Sequence, residues 1–438
     1  MINSLLKYSL ERVSSLEHFY KEELKHIETK SLEGQKMNEI GYLALMYMSV
    51  LASNTLNESD EELDDLIAKV KKYMKIEIES SDEGVTKFRY EYINEAELRQ
   101  QGYELDIDKS LSAYYKYIDM PIIHANNTLI MLITRFEEFI SALITEIYLL
   151  YPQKYLNKQQ ISFSEIANCK IEDICDKIVR REVDAIMRQS FMDWFELFES
   201  HGFKFDSCRL EIENLKEIYA RRNILVHNAG VVNDIYLKNV PSSTAKIGEY
   251  LYATNQYLPD SFQTIRTLIL TIMLEAVRLV NKNKDKYLDS IFKIAYGMLQ
   301  EKKYVLSKHV FNALKKHKNA TNDIKEMSQI NYWLSVKGIE GTQPILNEIR
   351  AFDVSALNKK FHVAKLILLE DYKTATLLIS DMYSKNEIDT CELIDWPLFE
   401  DYRQSEDYKV FKDKHHDDFT KYKFKFDKKG ANSDDTQS

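Results

Sequence analysis

Glycine and proline are scarce in this chain, which has 11 glycines and 6 prolines among 438 residues. A β-sandwich or β-barrel needs a turn every ten residues or so, about the spacing of its short strands. The shortage therefore excludes folds built from many short strands. With 45% hydrophobic and 29% charged residues, the chain is not mostly disordered either. The composition predicts a mainly α-helical protein, long enough for two or three domains.

Cysteine and positive charge are also in short supply. The four cysteines, Cys169, Cys175, Cys208 and Cys391, form no C-x2-C pair. We therefore expect no metal site and no cofactor, and scattered cysteines suit a reducing cytoplasm. The net charge of −10 and the pI of about 5.6 argue against a sequence-independent grip on duplex DNA. They leave room for a small local RNA site.

No apolar run is long and uninterrupted enough to predict a membrane span. The N-terminal pattern is broken by Lys7, Glu11 and Arg12 and has no small-residue cleavage site, so it does not predict a signal peptide. The stretch from Leu129 to Leu150 carries four charged residues, Arg135, Glu137, Glu138 and Glu146. Such a stretch is typical of a core helix, and we expect a cytoplasmic protein without membrane contact.

The first 120 residues are predicted to be helical except for one segment, where the spacing of apolar residues changes from the helical period of about 3.6 to the strand period of about 2. MKIEIES and VTKFRYEY alternate apolar and polar residues on either side of Ser80–Gly84. This pattern predicts a β-hairpin near 74–93 with a five-residue loop.

The middle region, 121–285, reads as helices broken by short extended pieces. Pro121 is predicted to open a long helix that ends at Tyr151-Pro152. A helix from about Ser207 to His227 should stop at Asn228-Ala229-Gly230. The other predicted elements are helical patterns at 163–201, extended VVNDIYL and EYLYAT, and an apolar helix at about 262–280.

Two segments of the C-terminal third resemble each other. MLQEKKYVLSKHVFNAL and LILLEDYKTATLLISDM place Tyr304 and Tyr372 68 residues apart, twice the 34-residue period of tetratricopeptide repeats, with Gly338 at a turn midway. We interpret 286–411 as TPR-like helical repeats; a plain helical bundle is the alternative. The tail, 412–438, loses apolar periodicity and is predicted to be disordered.

The segment EIYARRNILVHNAG, residues 217–230, carries the residue types of a catalytic site. Asn223 and His227 are one helical turn apart, and Arg222 borders their face. Arginine fits phosphate oxygens, and histidine transfers protons near neutral pH. Together they suit cleavage of RNA by its own 2′-hydroxyl group, with His227 moving protons and Arg222 stabilising charge on phosphorus.

The spacing of an arginine and a histidine is a weak signal by itself. Arg222 and His227 have four residues between them, and Arg12 and His18 form a similar pair with five residues between them. We interpret the pair of Arg12 and His18 as surface charge. The pair of Arg222 and His227 has a context that the other lacks: an apolar stripe of Leu215, Ile218 and Leu225, followed by Asn-Ala-Gly and a short extended piece.

The motif R-N-I-L-V-H-N-A-G and the upstream helix TRFEEFISALITEIYLLYP resemble the Arg-x4–6-His motif and long first helix of HEPN domains. These helical domains occur in many prokaryotic defence and toxin ribonucleases. The resemblance covers about residues 121–285. It implies a metal-independent endoribonuclease of anti-phage defence, abortive infection or a toxin system. It also implies a homodimer in which two motif helices build one composite site.

The resemblance also implies roles for individual residues. Arg222 and His227 correspond to the catalytic pair, and Asn223 and Arg221 are auxiliary candidates. Acidic residues of the first helix assist in some members of the family, which makes Glu137 and Glu138 candidates, and Glu138 is the one we choose. For both, the alternative is a solvated face or an ion pair with Arg135.

Two overall functions follow. The first is an endoribonuclease with an RNA substrate and a protein partner or regulator at the repeats. The alternative is a non-catalytic HEPN/TPR-like scaffold for dimerisation and partner binding.

Overall fold

The computed structural model describes residues 2–53, 61–82, 85–156, 160, 171–279 and 284–420. The described chain is mainly helical with one two-stranded sheet, so the predicted mainly α class is confirmed. The helices and strands, in chain order, are α1 (Ile2–Ser53), α2 (Glu61–Tyr73), β1 (Met74–Asp82), β2 (Val85–Tyr92), α3 (Glu95–Gln100), α4 (Ile107–Leu150), α5 (Pro152–Tyr155), α6 (Ile171–Met187), α7 (Phe191–Ser200), α8 (Arg209–His227), α9 (Asp234–Asn239), α10 (Tyr257–Leu279), α11 (Lys284–Gln300), α12 (Tyr304–Leu314), α13 (Asn322–Glu340), α14 (Leu346–Ala351), α15 (Lys359–Leu368), α16 (Tyr372–Ser384), α17 (Thr390–Asp395) and α18 (Glu406–Lys414).

The chain forms two compact units whose boundaries fall inside the long helices. The motif unit, named for the Arg-His segment, comprises Leu10–Glu138 and Ile212–Ile265. The repeat unit comprises Met1–Ser9, Phe139–Glu211 and Arg266–Ser438.

In the motif unit, α1 and α4 approach each other closely at two small residues. A side chain on Gly34 would clash with the ring of Tyr117, and one on Gly41 would clash with Ser110. The two contacts are seven residues apart on both helices, which is the spacing of two helical turns. Next to Gly41, the ring of Tyr42 stacks on that of Tyr114, with the two ring centroids 4.0 Å apart.

The prediction that Pro121 opens the long helix is wrong, because α4 begins at Ile107 and Pro121 lies inside it. Proline has no N–H to donate to the carbonyl four residues earlier, here that of Tyr117. The buried hydroxyl of Ser31, on α1, donates a hydrogen bond to this carbonyl instead. The helix therefore continues through the proline with its freed acceptor satisfied from outside.

The hairpin prediction is confirmed in its strands and wrong in its loop. Strands β1 and β2 pair antiparallel, and pairing continues to Asp82 opposite Val85, which leaves no room for a five-residue loop. The prediction that VVNDIYL is extended is also partly wrong. Val231 pairs with Tyr250 in an isolated bridge, but α9 begins at Asp234, because the side chain of Asn233 accepts a hydrogen bond from the Tyr236 N–H and caps the helix.

The two look-alike segments of the repeat unit have the same turn geometry. Two residues before each tyrosine stands a non-glycine residue in the left-handed region, Lys302 with φ 59° and Glu370 with φ 61°. In each turn the following N–H, of Lys303 or Asp371, bonds to the carbonyl five residues earlier. Helices α11 and α12, and α15 and α16, are therefore joined by equivalent turns.

The role predicted for Gly338 is wrong. It lies inside α13, and the turn comes three residues later at Gly341, whose φ is 79°. The ring of Tyr304 occupies the space beside Gly338. Tyr304 thus packs against the helix that follows its own pair, while the ring of Tyr372 contacts that of Tyr402 at 5.8 Å.

Replacing Gly338 with alanine should lower the free energy of unfolding by about 1 kcal/mol, because the added methyl group would displace the partly exposed ring of Tyr304. The new Cβ would lie 2.7 Å from the Tyr304 ring. Gly297→Ala on α11 is the matched control, since nothing lies within 4 Å of its added Cβ. That variant should be neutral or stabilised by up to about 1 kcal/mol through helix propensity. Denaturant unfolding of both variants checks this, and equal stabilities would contradict the packing role.

The predicted disordered tail is wrong for its first nine residues. The last described part, 412–420, is helical apart from a turn at His415, and Phe419 is buried with its ring near those of Tyr408 and Phe411. The remainder, 421–438, lies outside the described residues.

Candidate active site

Helix α8 carries the motif and ends where the sequence predicts. Its buried face holds Leu215, Ile218, Tyr219, Ala220 and Ile224. The last turn closes on one acceptor, since the N–H groups of Asn228 and Gly230 both donate to the Ile224 carbonyl, at 2.8 and 2.9 Å. Ala229, with φ 50°, and Gly230, with φ 81°, both lie in the left-handed region in this turn. His227 is therefore the last helical residue, with its position fixed by the turn.

A small apolar cluster attaches α9 to α8. Ala220 and Ile224 on α8 pack with Val232, Tyr236 and Val240, all buried. The cluster fixes the segment after the motif against the motif helix. As a result α9 forms the opposite wall of the surface where His227 lies.

Arg222 lies on the side of α8 that faces α4. Its Nη2 donates to Oε1 of Glu137 at 3.0 Å, and the Tyr219 hydroxyl donates to the same oxygen at 3.2 Å. The Arg222 side chain is 26% exposed, and its Nε is buried without a hydrogen-bond partner among the described residues. Burial, and then the Glu137 carboxylate, raise the pKa of Tyr219 well above its ordinary value, so the phenol remains a donor.

Arg221 belongs to a different, structural network. Its Nε donates to Glu217 at 2.8 Å, its Nη1 donates to the Tyr252 carbonyl at 2.8 Å, and its guanidinium lies 4.1 Å from the centre of the Tyr257 ring. Burial alone would lower the pKa of Arg221, but the Glu217 carboxylate raises it above its usual value. With 14% of its side chain exposed, Arg221 has its guanidinium engaged within the unit and not presented to a ligand.

Glu217 is the centre of that network. It accepts hydrogen bonds from Arg221 and from the hydroxyls of Tyr236 and Tyr257. Burial and the Glu217 carboxylate raise the pKa of Tyr236 to about 12. The network ties α8 to α9 and to the start of α10, and so holds both walls of the motif surface.

Asn223 and His227 lie on the opposite side, toward α9. Both are exposed and line a groove of about 320 Å³. Asn239 and Ile235 of α9 line the same groove, Ile235 with 69% of its surface exposed. Neither side chain of the Asn223–His227 pair has a hydrogen-bond partner among the described residues, so the imidazole is free to bind or exchange a proton with a ligand.

Glu138, the acidic residue chosen from the sequence, lies away from Arg222. Both of its oxygens accept from Nη1 of Arg135 at 3.0 Å, and Arg12 forms a second ion pair with it at 3.0 Å. The acidic residue brought to the motif is its neighbour Glu137. One step along a helix turns a side chain by about 100°, which is why the two carboxylates face different partners.

The structure therefore divides the motif residues between two sides of α8. Asn223 and His227 share the groove toward α9, and Arg222 is held toward α4 by Glu137. Sequence reasoning missed Tyr219 and Glu217. A signal for both was present, because Tyr219 precedes Arg222 by three residues and Glu217 precedes Arg221 by four, the spacings at which helical side chains meet.

Comparisons with known proteins return no relative: no family model, no curated protein and no solved structure matches the chain. Among the described residues, no group of three or more His, Cys, Asp or Glu side chains is placed to hold a metal ion. None of the described helices is both long and apolar enough to cross a bilayer.

Proposed function

We propose that the protein is a metal-independent endoribonuclease that acts as a homodimer, with a site composed of Arg222 and His227 from both copies. The observation that carries the proposal is the environment of His227. It ends a well-packed helix, is exposed in a groove, and has no hydrogen-bond partner among the described residues. An unpaired imidazole at a rigidly positioned helix end is suited to proton transfer to or from a bound substrate.

The proposed reaction uses the RNA's own 2′-hydroxyl group as nucleophile. The 2′ oxygen bonds to phosphorus while the bond from phosphorus to the 5′ oxygen breaks. One His227 accepts the proton of the 2′-hydroxyl, and the His227 of the second copy donates a proton to the departing 5′ oxygen. The products are a 2′,3′-cyclic phosphate and a 5′-hydroxyl end.

Arg222 would stabilise the charge that develops on the phosphorane oxygens. Within one chain its guanidinium and the His227 ring lie on different sides of α8. In a two-fold dimer the site contains two copies of each side chain, so the arginine of one copy can act with the histidine of the other. Glu137, which holds Arg222, would orient the guanidinium in the resting chain.

The surface for dimerisation lies next to the motif. Many apolar side chains of α4 are buried in the chain itself, as Leu132, Phe136 and Ile140 illustrate, although Ile123, Met131 and Leu150 are exposed. Exposed apolar side chains also lie on the motif helix and the segment after it: Val226, Ile235, Ile247 and Tyr250. Val226 precedes His227, and Ile235 lines the groove with it, so both are placed for an interaction surface beside the motif.

We expect sedimentation at micromolar concentration to show a dimer, and Val226→Glu to shift it to monomer with loss of RNA cleavage, because a charge would be buried at the interface. Leu377→Glu is the matched control, since Leu377 is 70% exposed in the repeat unit. A purely monomeric wild type that still cleaves RNA would contradict the composite site.

One observation favours the alternative, a non-catalytic scaffold. The charge of Arg222 is already paired with Glu137 in the single chain, as a structural ion pair would be. In that case RNA stays intact in the presence of the protein, and replacing His227 has no effect on it.

The proposed role of the repeat unit is that of a TPR-like region that binds a partner or regulator. The equivalent turns before Tyr304 and Tyr372 support a repeated helix pair in this unit. Stacked helix pairs offer grooves between their helices, and such grooves bind segments of other proteins.

A further inference from the structure

The repeat unit contains a groove of about 530 Å³ between α11, α13 and α15, with the end of α17 at its side. Its walls are strongly aromatic: Phe292 and Tyr296 come from α11, Phe361 from α15, and Trp396 follows α17. The volume lies within the range of about 300–1,000 Å³ that is usual for ligand sites.

One wall carries an amide side chain without a hydrogen-bond partner among the described residues. Asn331, on α13, is 4% exposed and lines the groove. Its main-chain carbonyl accepts from the Ser335 hydroxyl, whereas its side-chain amide has no partner among the described residues. An amide at a groove wall offers one acceptor and two donor hydrogens to a ligand.

The charges at the groove disfavour an anion. Lys360 is the cation among the described lining residues, and it forms a close ion pair with Glu392. The carboxylate of Asp323 is exposed on the rim. Burial, followed by the nearby carboxylates of Asp395 and Glu392, raises the pKa of Tyr296 to about 12. Of the charged residues that line the described groove, Asp323 and Glu392 are acidic and Lys360 is basic, so the lining carries one more negative than positive charge.

We propose that this groove binds an extended segment of a partner protein that presents a lysine or arginine side chain between apolar residues. Aromatic rings line the groove and can pack against the apolar side chains of the segment: Phe292, Tyr296, Phe361 and Trp396. The face of such a ring also attracts a lysine or arginine cation. Asp323 attracts the basic group, and Asn331 pairs with a backbone amide, which has the matching donor and acceptor.

This inference deepens the proposed partner-binding role of the repeat unit and is independent of RNA cleavage. The opposite charge preference would be required for a phosphorylated ligand. Phosphate groups bind where unpaired arginine or lysine side chains converge, and the groove presents its lysine already paired.

Three fluorescein-labelled peptides of equal length test the proposal on the full chain by fluorescence anisotropy. They alternate leucine with arginine, with serine or with glutamate. We expect the arginine peptide to bind at least about tenfold more tightly than the glutamate peptide. Asn331→Ala should weaken binding of both the arginine and serine peptides by about twofold to tenfold, as loss of one hydrogen bond to the ligand does.

Asp323→Asn should weaken the arginine peptide by about twofold to fivefold and leave the serine peptide unchanged, because it removes only a rim charge. Since Asp323 is exposed, this variant should fold even where Asn331→Ala does not. Asp413→Asn, an exposed carboxylate of α18 outside the groove, is the matched control and should change nothing.

Binding of none of the peptides at millimolar concentration would overturn the proposal. So would equal affinity for the arginine and glutamate peptides, or binding that Asp323→Asn and Asn331→Ala leave intact. If the peptides bind more tightly when the protein is diluted, a second copy of the chain competes for the groove at higher concentration. That result would also contradict the proposal. Because the readout is binding alone, each of these results leaves the ribonuclease proposal standing.

Discussion

Replacing His227 with alanine should lower the rate of RNA cleavage by about 10²–10⁴-fold, the usual contribution of a general acid or base. The imidazole is exposed in the groove between α8 and α9. Its loss would remove both the base and the acid of the proposed two-fold site. Because His227 has no hydrogen-bond partner among the described residues, its removal should leave the thermal stability nearly unchanged. Single-turnover cleavage of a short labelled RNA, with the melting temperature measured alongside, checks both statements.

The chain supplies its own control for this variant. Arg12 and His18 also fit the Arg-x4–6-His pattern on α1, and His18 is exposed there as His227 is on α8. His18→Ala should retain full activity. Expression in a bacterial host gives a second readout, since total RNA should remain intact with His227→Ala and not with His18→Ala. If both variants cleave RNA at the wild-type rate, His227 has no catalytic role.

Replacing Arg222 with lysine should lower the cleavage rate by about 10²–10³-fold, the cost of removing one preorganised donor to the transition-state charge. Lysine keeps the positive charge and an ion pair with Glu137, now 3.0 Å from the guanidinium, so folding should be little affected. It lacks the planar fork of donors that binds two phosphate oxygens at once.

The matched control is Arg209→Lys at the start of the same helix, where the arginine is 79% exposed and pairs with Asp206. That variant should cleave RNA normally. An Arg222→Lys enzyme with unchanged activity would mean that the charge alone matters, and an Arg222→Ala enzyme with unchanged activity would remove Arg222 from the mechanism.

Local features of the fold could be predicted because they depend on neighbouring residues. The end of α8 at His227 follows from Asn-Ala-Gly, and the hairpin strands follow from their alternation. The errors arose where a distant residue decided the outcome. Pro121 was expected to begin a helix, but the Ser31 hydroxyl, 90 positions earlier in the chain, satisfies the carbonyl that the proline leaves free.

The candidate site shows the same division. Asn223 and His227 share a face because they are one turn apart, which the sequence states directly. The choice between Glu137 and Glu138 depends on the rotation of α4 against α8, and no local pattern encodes that rotation. The structure brings Glu137 to Arg222 and Glu138 to Arg135 and Arg12. Likewise, the start of α9 could have been predicted from Asn233 as a cap, but the alternation of VVNDIYL favoured an extended segment.

We propose that the RNA's own 2′-hydroxyl group attacks phosphorus with the help of His227 and Arg222. The most direct test compares an RNA containing the cleaved linkage with the same molecule carrying a single 2′-deoxy nucleotide there, in the presence of a chelator. We expect the RNA to be cut to a 2′,3′-cyclic phosphate and a 5′-hydroxyl end, and the 2′-deoxy linkage to stay intact. Cleavage at the 2′-deoxy position, or cleavage that the chelator abolishes, would contradict the proposal.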